Sequence, residues 1–76
     1  MRIDKPGWWT TTDKLDRVYH IFIDNDPWQA EKGLQLKEFF CDQEDMKFKV
    51  KIRSDFLSIY DWEECEKPKW IDEKKK

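Results

Sequence analysis

A chain of 76 residues makes one domain at most, and 38% hydrophobic against 42% charged residues leaves that domain a small core. A domain of this length buries only about 60–65% of its unfolded surface, so a deep pocket is not expected. A net charge of −2 argues against a duplex-coating protein, and two glycines are too few for a phosphate-cradling loop or a dinucleotide fingerprint.

Aromatic rings compensate for the scarce aliphatics. Five Trp, five Phe and two Tyr are present, and each such ring buries roughly 150–250 Å² when enclosed. Ring content this high also argues against disorder along the whole chain. The charge is unevenly spread. Residues 1–45 hold six Lys or Arg and ten Asp or Glu, whereas residues 46–76 hold nine and seven.

Taken in order, residues 1–6 are a polar lead-in that closes on Pro6-Gly7, a turn signal. Trp8-Trp9-Thr10-Thr11-Thr12 suits a short strand, and adjacent tryptophans in a strand point to opposite faces. Asp13-Lys14-Leu15-Asp16 then turns a hairpin into a second strand, Arg17 to Asp24, which is rich in β-branched and aromatic residues. Leu15, Val18, Tyr19 and Phe22 also fit a helical stripe, but Ile21 and Ile23 lie off it. A strand apolar on both faces belongs in the middle of a sheet.

Asp26 and Pro27 open a short helix that Gly33 closes, so the helix runs from Pro27 to Lys32. Leu34 to Phe40 reads as a third strand, and Cys41 to Asp45 as an acidic turn. Met46 to Arg53 is the clearest pattern in the chain. Met46, Phe48, Val50 and Ile52 alternate with Lys47, Lys49, Lys51 and Arg53, which gives a strand with one apolar and one cationic face. Phe56 to Trp62 is expected as a further strand, although a helix through Glu64 fits about as well. From Glu66 the chain reads as tail, because Pro68 argues against continued regular structure. The expectation is an α+β fold, a small antiparallel sheet of four to five strands with one short helix. Residues 1–66 form its single small domain and residues 67–76 a charged tail that frays.

Two groups of residues point to binding. Trp8, Trp9, Trp28, Trp62 and Trp70 together exceed what a core this size needs, and tryptophan is enriched where protein interfaces are tightest; with Trp28 placed as a packing residue of the short helix, Trp8, Trp9, Trp62 and Trp70 are left. They are the expected anchors for another protein, with the opposed acidic and basic regions orienting the encounter. Lys47, Lys49, Lys51 and Arg53 give the alternative, a cationic strand face that tracks single-stranded nucleic acid while nearby rings stack on bases. A solvated outer face explains the same four cations without a ligand.

Chemistry is not expected. Cys41, Cys65 and His20 lack the spacing of a metal site, so no metal or cofactor is assigned, and His20 in an apolar strand reads as a core residue. The acidic clusters at 42–45 and 61–66 read as solvated surface. The chain shows no leading apolar run like a signal peptide and no run of the ~20 apolar residues a membrane span needs. Free thiols in a cytoplasmic, non-enzymatic regulator or inhibitor are therefore expected, and a Cys41–Cys65 disulfide is the lesser reading. Comparison with small regulators of viral or mobile-element type rests on size and composition alone.

Overall fold

The computed structural model describes residues 3–25, 35–46 and 56–74. Strand β1 (Gly7–Thr12) pairs antiparallel with β2 (Val18–Ile23) in the register Trp8 to Phe22, Trp9 to Ile21 and Thr11 to Tyr19. The loop between them is the expected hairpin. The Asp16 N–H donates to the Asp13 carbonyl at 3.2 Å, the Asp13 N–H donates to the Arg17 carbonyl at 3.0 Å, and Asp16 takes φ 61°. That is a type I turn followed by one left-handed residue, the common three-residue hairpin loop.

Strand β3 (Leu36–Cys41) lies on the other side of β2, with Ile21 opposite Phe39 and His20 opposite Phe40. A register shift at Phe22–Ile23 gives Glu38 and Leu36 as their successive partners. Strand β4 (Glu44–Asp45) folds straight back on β3, with Cys41 opposite Glu44. The connection is only Asp42-Gln43, tighter than the five-residue turn the sequence suggests. Both residues have positive φ, 50° and 69°, as a type I′ turn requires. Asp42 suits that role and ties the turn down: its N–H donates to the Val18 carbonyl at 2.9 Å, and its carboxylate accepts the Val18 N–H at 3.1 Å. Gln43 has no such compensation in its backbone preference, since left-handed geometry costs a side-chain-bearing residue about 1–2 kcal/mol. Gln43→Gly is expected to stabilise the domain by roughly 0.5–1 kcal/mol, raising Tm by about 4 °C in a thermal melt.

Strand β5 (Glu63–Cys65) sits beside β1 at the far edge, so the sheet order is β4-β3-β2-β1-β5, antiparallel throughout. The four-strand meander thus returns across the sheet before adding its last strand. The return places Trp62, Leu57 and Tyr60 on one face, against Trp9, Tyr19, Ile21, Ile23 and Phe39. The opposite face carries Trp8, Phe22, His20 and Phe40. It receives Trp70 from helix α2 (Lys69–Lys74), which follows β5. Phe39 and Phe40 are both buried because each face has its own cover. The meander therefore lies between two layers, as the apolar character of both faces of β2 requires.

Two expectations are corrected. Phe56 to Trp62 is not a strand. Phe56–Ile59 forms one helical turn, α1, and the strand begins only at Glu63. Leu57 and Tyr60 pack on the core while Ile59 is 64% exposed. A period of three separates this partly buried pair, whereas a strand would have put Leu57 and Ile59 on one face. The segment after Pro68 is not devoid of regular structure either. Pro68 sits just before α2, where a missing N–H costs nothing, and its carbonyl accepts the Ile71 N–H at 3.2 Å. Ile71 is fully buried, and Lys67 pairs with Asp72 at 2.8 Å. The Pro27–Lys32 helix lies outside the described residues, as does the Met46–Arg53 pattern beyond Met46 itself.

Candidate docking surface

Strand pairing decides which tryptophans reach solvent. Trp9 stands opposite Ile21 and is 1% exposed, with its indole N–H donated to the Lys5 carbonyl at 3.2 Å. Trp62 is fully buried and donates to the Leu57 carbonyl at 3.0 Å. Each is an enclosed ring with its polar atom satisfied, the ordinary state of a core tryptophan. The expectation that Trp9 and Trp62 are exposed anchors is corrected on that ground. Trp8 and Trp70 remain, both half-buried and both on the face that carries α2.

There they join a connected set of rings. Trp8 stacks on Phe22 with centroids 5.3 Å apart and planes 25° from parallel. Trp8 also lies 6.3 Å from Phe40. Trp70 meets Phe40 edge-on at 5.2 Å and His20 edge-on at 5.6 Å. Burial lowers the His20 pKa from its usual 6.5, which favours the neutral imidazole at pH 7. Phe22, His20 and Trp70 are half-buried like Trp8, while Phe40 is fully enclosed beneath them.

Carboxylates stand at three of the four row ends of this face, Cys65 stands at the fourth, and Lys37 shares the bulge with Glu38. In one row across the strands, Trp8 pairs with Phe22 and Phe22 with Glu38. In the next, Glu63, Thr10, His20, Phe40 and Asp45 follow one another from β5 to β4. Among the described residues, Lys5 pairs with Glu64 at 2.8 Å, Lys37 with Asp24 at 3.9 Å, and Lys67 with Asp72. Phe22, His20 and Glu38 were not singled out as site residues from the sequence. Their signal was available only through the hairpin register, which sets Phe22 opposite Trp8.

The alternative site, Lys47, Lys49, Lys51 and Arg53, lies outside the described residues. Cys41 and Cys65 are free and partly buried. They stand on strands separated by β2 and β1 and on opposite faces of the sheet, with Cys41 opposite Tyr19 and Cys65 opposite Trp8. Three strand spacings of about 4.8 Å put them well beyond disulfide reach. Burial raises both thiol pKa values, which makes them poor nucleophiles at neutral pH.

A cleft of about 350 Å³ opens where β1 ends, between Thr10–Thr12 and the Ile59–Asp61 bend. The Thr10 hydroxyl donates to the Tyr19 carbonyl at 2.8 Å and the Thr11 hydroxyl to the Asp61 carbonyl at 2.9 Å, so both serve to hold strands and bend together. Among the described residues no group of three His, Cys, Asp or Glu is placed to hold a metal, and no helix is long and apolar enough to cross a membrane. No protein-family model, no curated protein and no solved structure matches this chain.

Proposed function

We propose that this small α+β domain is a non-enzymatic binding module that docks on another protein through the ring-bearing face of its sheet. The observation that carries the reading is the Trp8–Phe22 stack, half-buried and continuous through Phe40 with Trp70. Large rings held rigid by their neighbours lose little entropy on binding and bury much surface, which is why such residues dominate interfaces. The carboxylates at the ends of the rows orient the encounter. A regulator or inhibitor is the role that a module of this size, with a docking face and no assigned chemistry, fits best.

The test is photocrosslinking in the source cell, with a photoreactive phenylalanine analogue at position 8 or at position 15. Leu15 is 72% exposed but sits on the hairpin loop, off the ring-bearing face. A discrete protein adduct is expected from position 8 and not from position 15. Equal or absent adducts from both would reject this surface. Recovery of nucleic acid alone, abolished by Lys49→Glu with Lys51→Glu and weakened steeply by salt, would instead support the cationic face as the binding site.

A further inference from the structure

We infer that the end of β1 takes up an extended peptide segment, which pairs its main chain with Thr12 and lays an apolar side chain on Ile59. This site lies at the sheet edge and does not depend on the docking face above.

The phase of the strand ladders leaves that edge open. In an antiparallel pair, residues alternate between pointing their N–H and C=O at the partner strand and pointing both away. Val18 points away from β1 and toward the β3 side. Its carbonyl accepts the Asp42 N–H at 2.9 Å, and its N–H donates to the Asp42 carboxylate at 3.1 Å. Thr12 stands directly opposite Val18, so its own N–H and C=O point the other way, toward the β5 side. There the ladder has already ended. The β1–β5 register runs Trp8 to Cys65, Trp9 to Glu64 and Thr10 to Glu63. Carried on, it would set Asp61 opposite Thr12. Instead Trp62 turns into the core, and the Asp61 carbonyl accepts the Thr11 hydroxyl at 2.9 Å. The Thr12 donor and acceptor therefore open on the cleft of about 350 Å³ between β1 and the Ile59–Asp61 bend. Among the described residues neither group meets a hydrogen-bond partner.

That geometry selects the ligand. One strand residue held extended offers a donor and an acceptor on the same side. Their complement is the donor and acceptor of another extended main chain. A volume at the low end of the roughly 300–1,000 Å³ of ligand pockets suits a short segment rather than a folded surface. The receiving strand is already ordered. Thr11 is buried and tied to Asp61, so little freedom is lost on binding. The side-chain contact is Ile59, 64% exposed in the cleft wall. A β-branched apolar residue suits it, because such residues also favour the extended main chain.

The probe is the neutral capped peptide acetyl-Ser-Val-Thr-Val-Ser-amide. One comparator replaces its inner amides by esters, which removes the N–H donors and keeps the side chains. Another replaces both valines by serine. Binding is followed by NMR shifts and amide hydrogen exchange. In the free protein the Thr12 amide should exchange fast, whereas the Thr11 amide, which faces Tyr19 in the β1–β2 ladder, should be protected. The peptide should protect Thr12. The ester version should bind about tenfold more weakly, and the serine version severalfold. Thr12→Pro removes only the outward N–H, and proline is tolerated where a strand N–H faces solvent. It should keep the parent near-UV circular dichroism spectrum and lose about tenfold in binding. Ile59→Ser should lose severalfold. If Thr12→Pro fails to fold, the ester peptide and Ile59→Ser carry the same decision.

A Thr12 amide protected in the dilute free protein would show the edge already paired and overturn the inference. Protection that grows with protein concentration alone would give the edge to a second copy of the chain and overturn it equally. So would equal binding of the ester peptide, undiminished binding by folded Thr12→Pro, or shifts confined to Trp8, Phe22 and Trp70. The last result would place the peptide on the ring-bearing face.

Discussion

Trp62→Ala is expected to abolish the cooperative folding transition near room temperature. Trp62 is fully buried, donates its indole N–H to Leu57 at 3.0 Å, and meets Tyr60 edge-on at 6.2 Å. Tyr60 in turn lies 5.6 Å from Tyr19 on β2. The ring thus fastens the returning chain to the sheet one step before β5 begins. Enclosing about 200 Å² of ring contributes roughly 5 kcal/mol at 25 cal/mol per Å². Truncating a buried Trp typically costs about 3–5 kcal/mol. A domain of this length has only roughly 4–11 kcal/mol in total. The substitution therefore removes a large part of what holds the fold. It also releases β5, so the β1 edge loses its partner. Thermal melts followed by far-UV circular dichroism, with a dye for exposed apolar surface, give the readout. Ile59→Ser two residues after Leu57 is the control, because a residue 64% exposed should change stability by no more than about 0.5 kcal/mol. A Trp62→Ala melt within about 1 kcal/mol of the parent would show that the ring is not the fastening assigned to it.

That dependence on one ring explains which parts of the fold the sequence could disclose. The strands β1, β2 and β3 carry their own pattern: Trp and Thr in the first, Val18 to Ile23 in the second, Leu36 to Phe40 in the third. Asp13 to Asp16 has the residues a tight loop needs. β5 has no pattern of its own. Glu63-Glu64-Cys65 is a strand because β1 offers an edge and Lys5 bridges to Glu64, both tertiary facts. α1 and α2 are single-turn and six-residue elements, too short for periodicity to announce. Pro68 misleads when read only as a breaker, since the same residue is well placed at a helix start.

The candidate surface was legible in kind but not in membership. A surplus of tryptophan is a property of composition. Adjacent Trp8 and Trp9 must face opposite ways in a strand, yet nothing local says which face is enclosed. Ile21 and Phe39 decide it, by pairing in one row with Trp9. Trp62 owes its depth to a chain reversal that no local pattern encodes. Trp70, taken as part of a tail, joins the rings only because α2 turns it toward Phe40.

Asp13 is the second place where one side chain holds several elements, and its loss is expected to open the first hairpin. One carboxylate oxygen, Oδ1, accepts the Leu15 N–H at 2.8 Å and the Arg17 N–H at 3.0 Å. The other, Oδ2, accepts the Arg17 Nε–H at 2.8 Å and the Tyr19 hydroxyl at 2.9 Å. The first pair shapes the loop; the second ties the loop to the core through Tyr19, which is 7% exposed. Burial pushes the Asp13 carboxyl up, but the bonds from Arg17, Tyr19 and Leu15 outweigh it and hold the carboxyl at about 2, below the ordinary 3.8. The sign of the pH effect follows. Well above pH 4 the group is ionised folded or unfolded, and its contribution is fully present. Between about pH 4 and pH 2 the unfolded chain takes up the proton first, so stability is lost as pH falls through that window. Asp13→Ala removes both pairs of bonds and is expected to lower Tm at pH 7 by roughly 10 °C. Asp13→Asn keeps an oxygen for the loop N–H groups but faces an amide NH₂ toward the Arg17 donor. It should therefore lose about half as much at pH 7 and flatten the acid limb of the Tm-against-pH curve. The two substitutions separate loop from tether. If Asp13→Asn is as damaging as Asp13→Ala, the bonds to Arg17 Nε and Tyr19 carry the effect. If the acid limb persists unchanged in Asp13→Asn, the titrating group is another carboxylate and the role given to Asp13 is wrong.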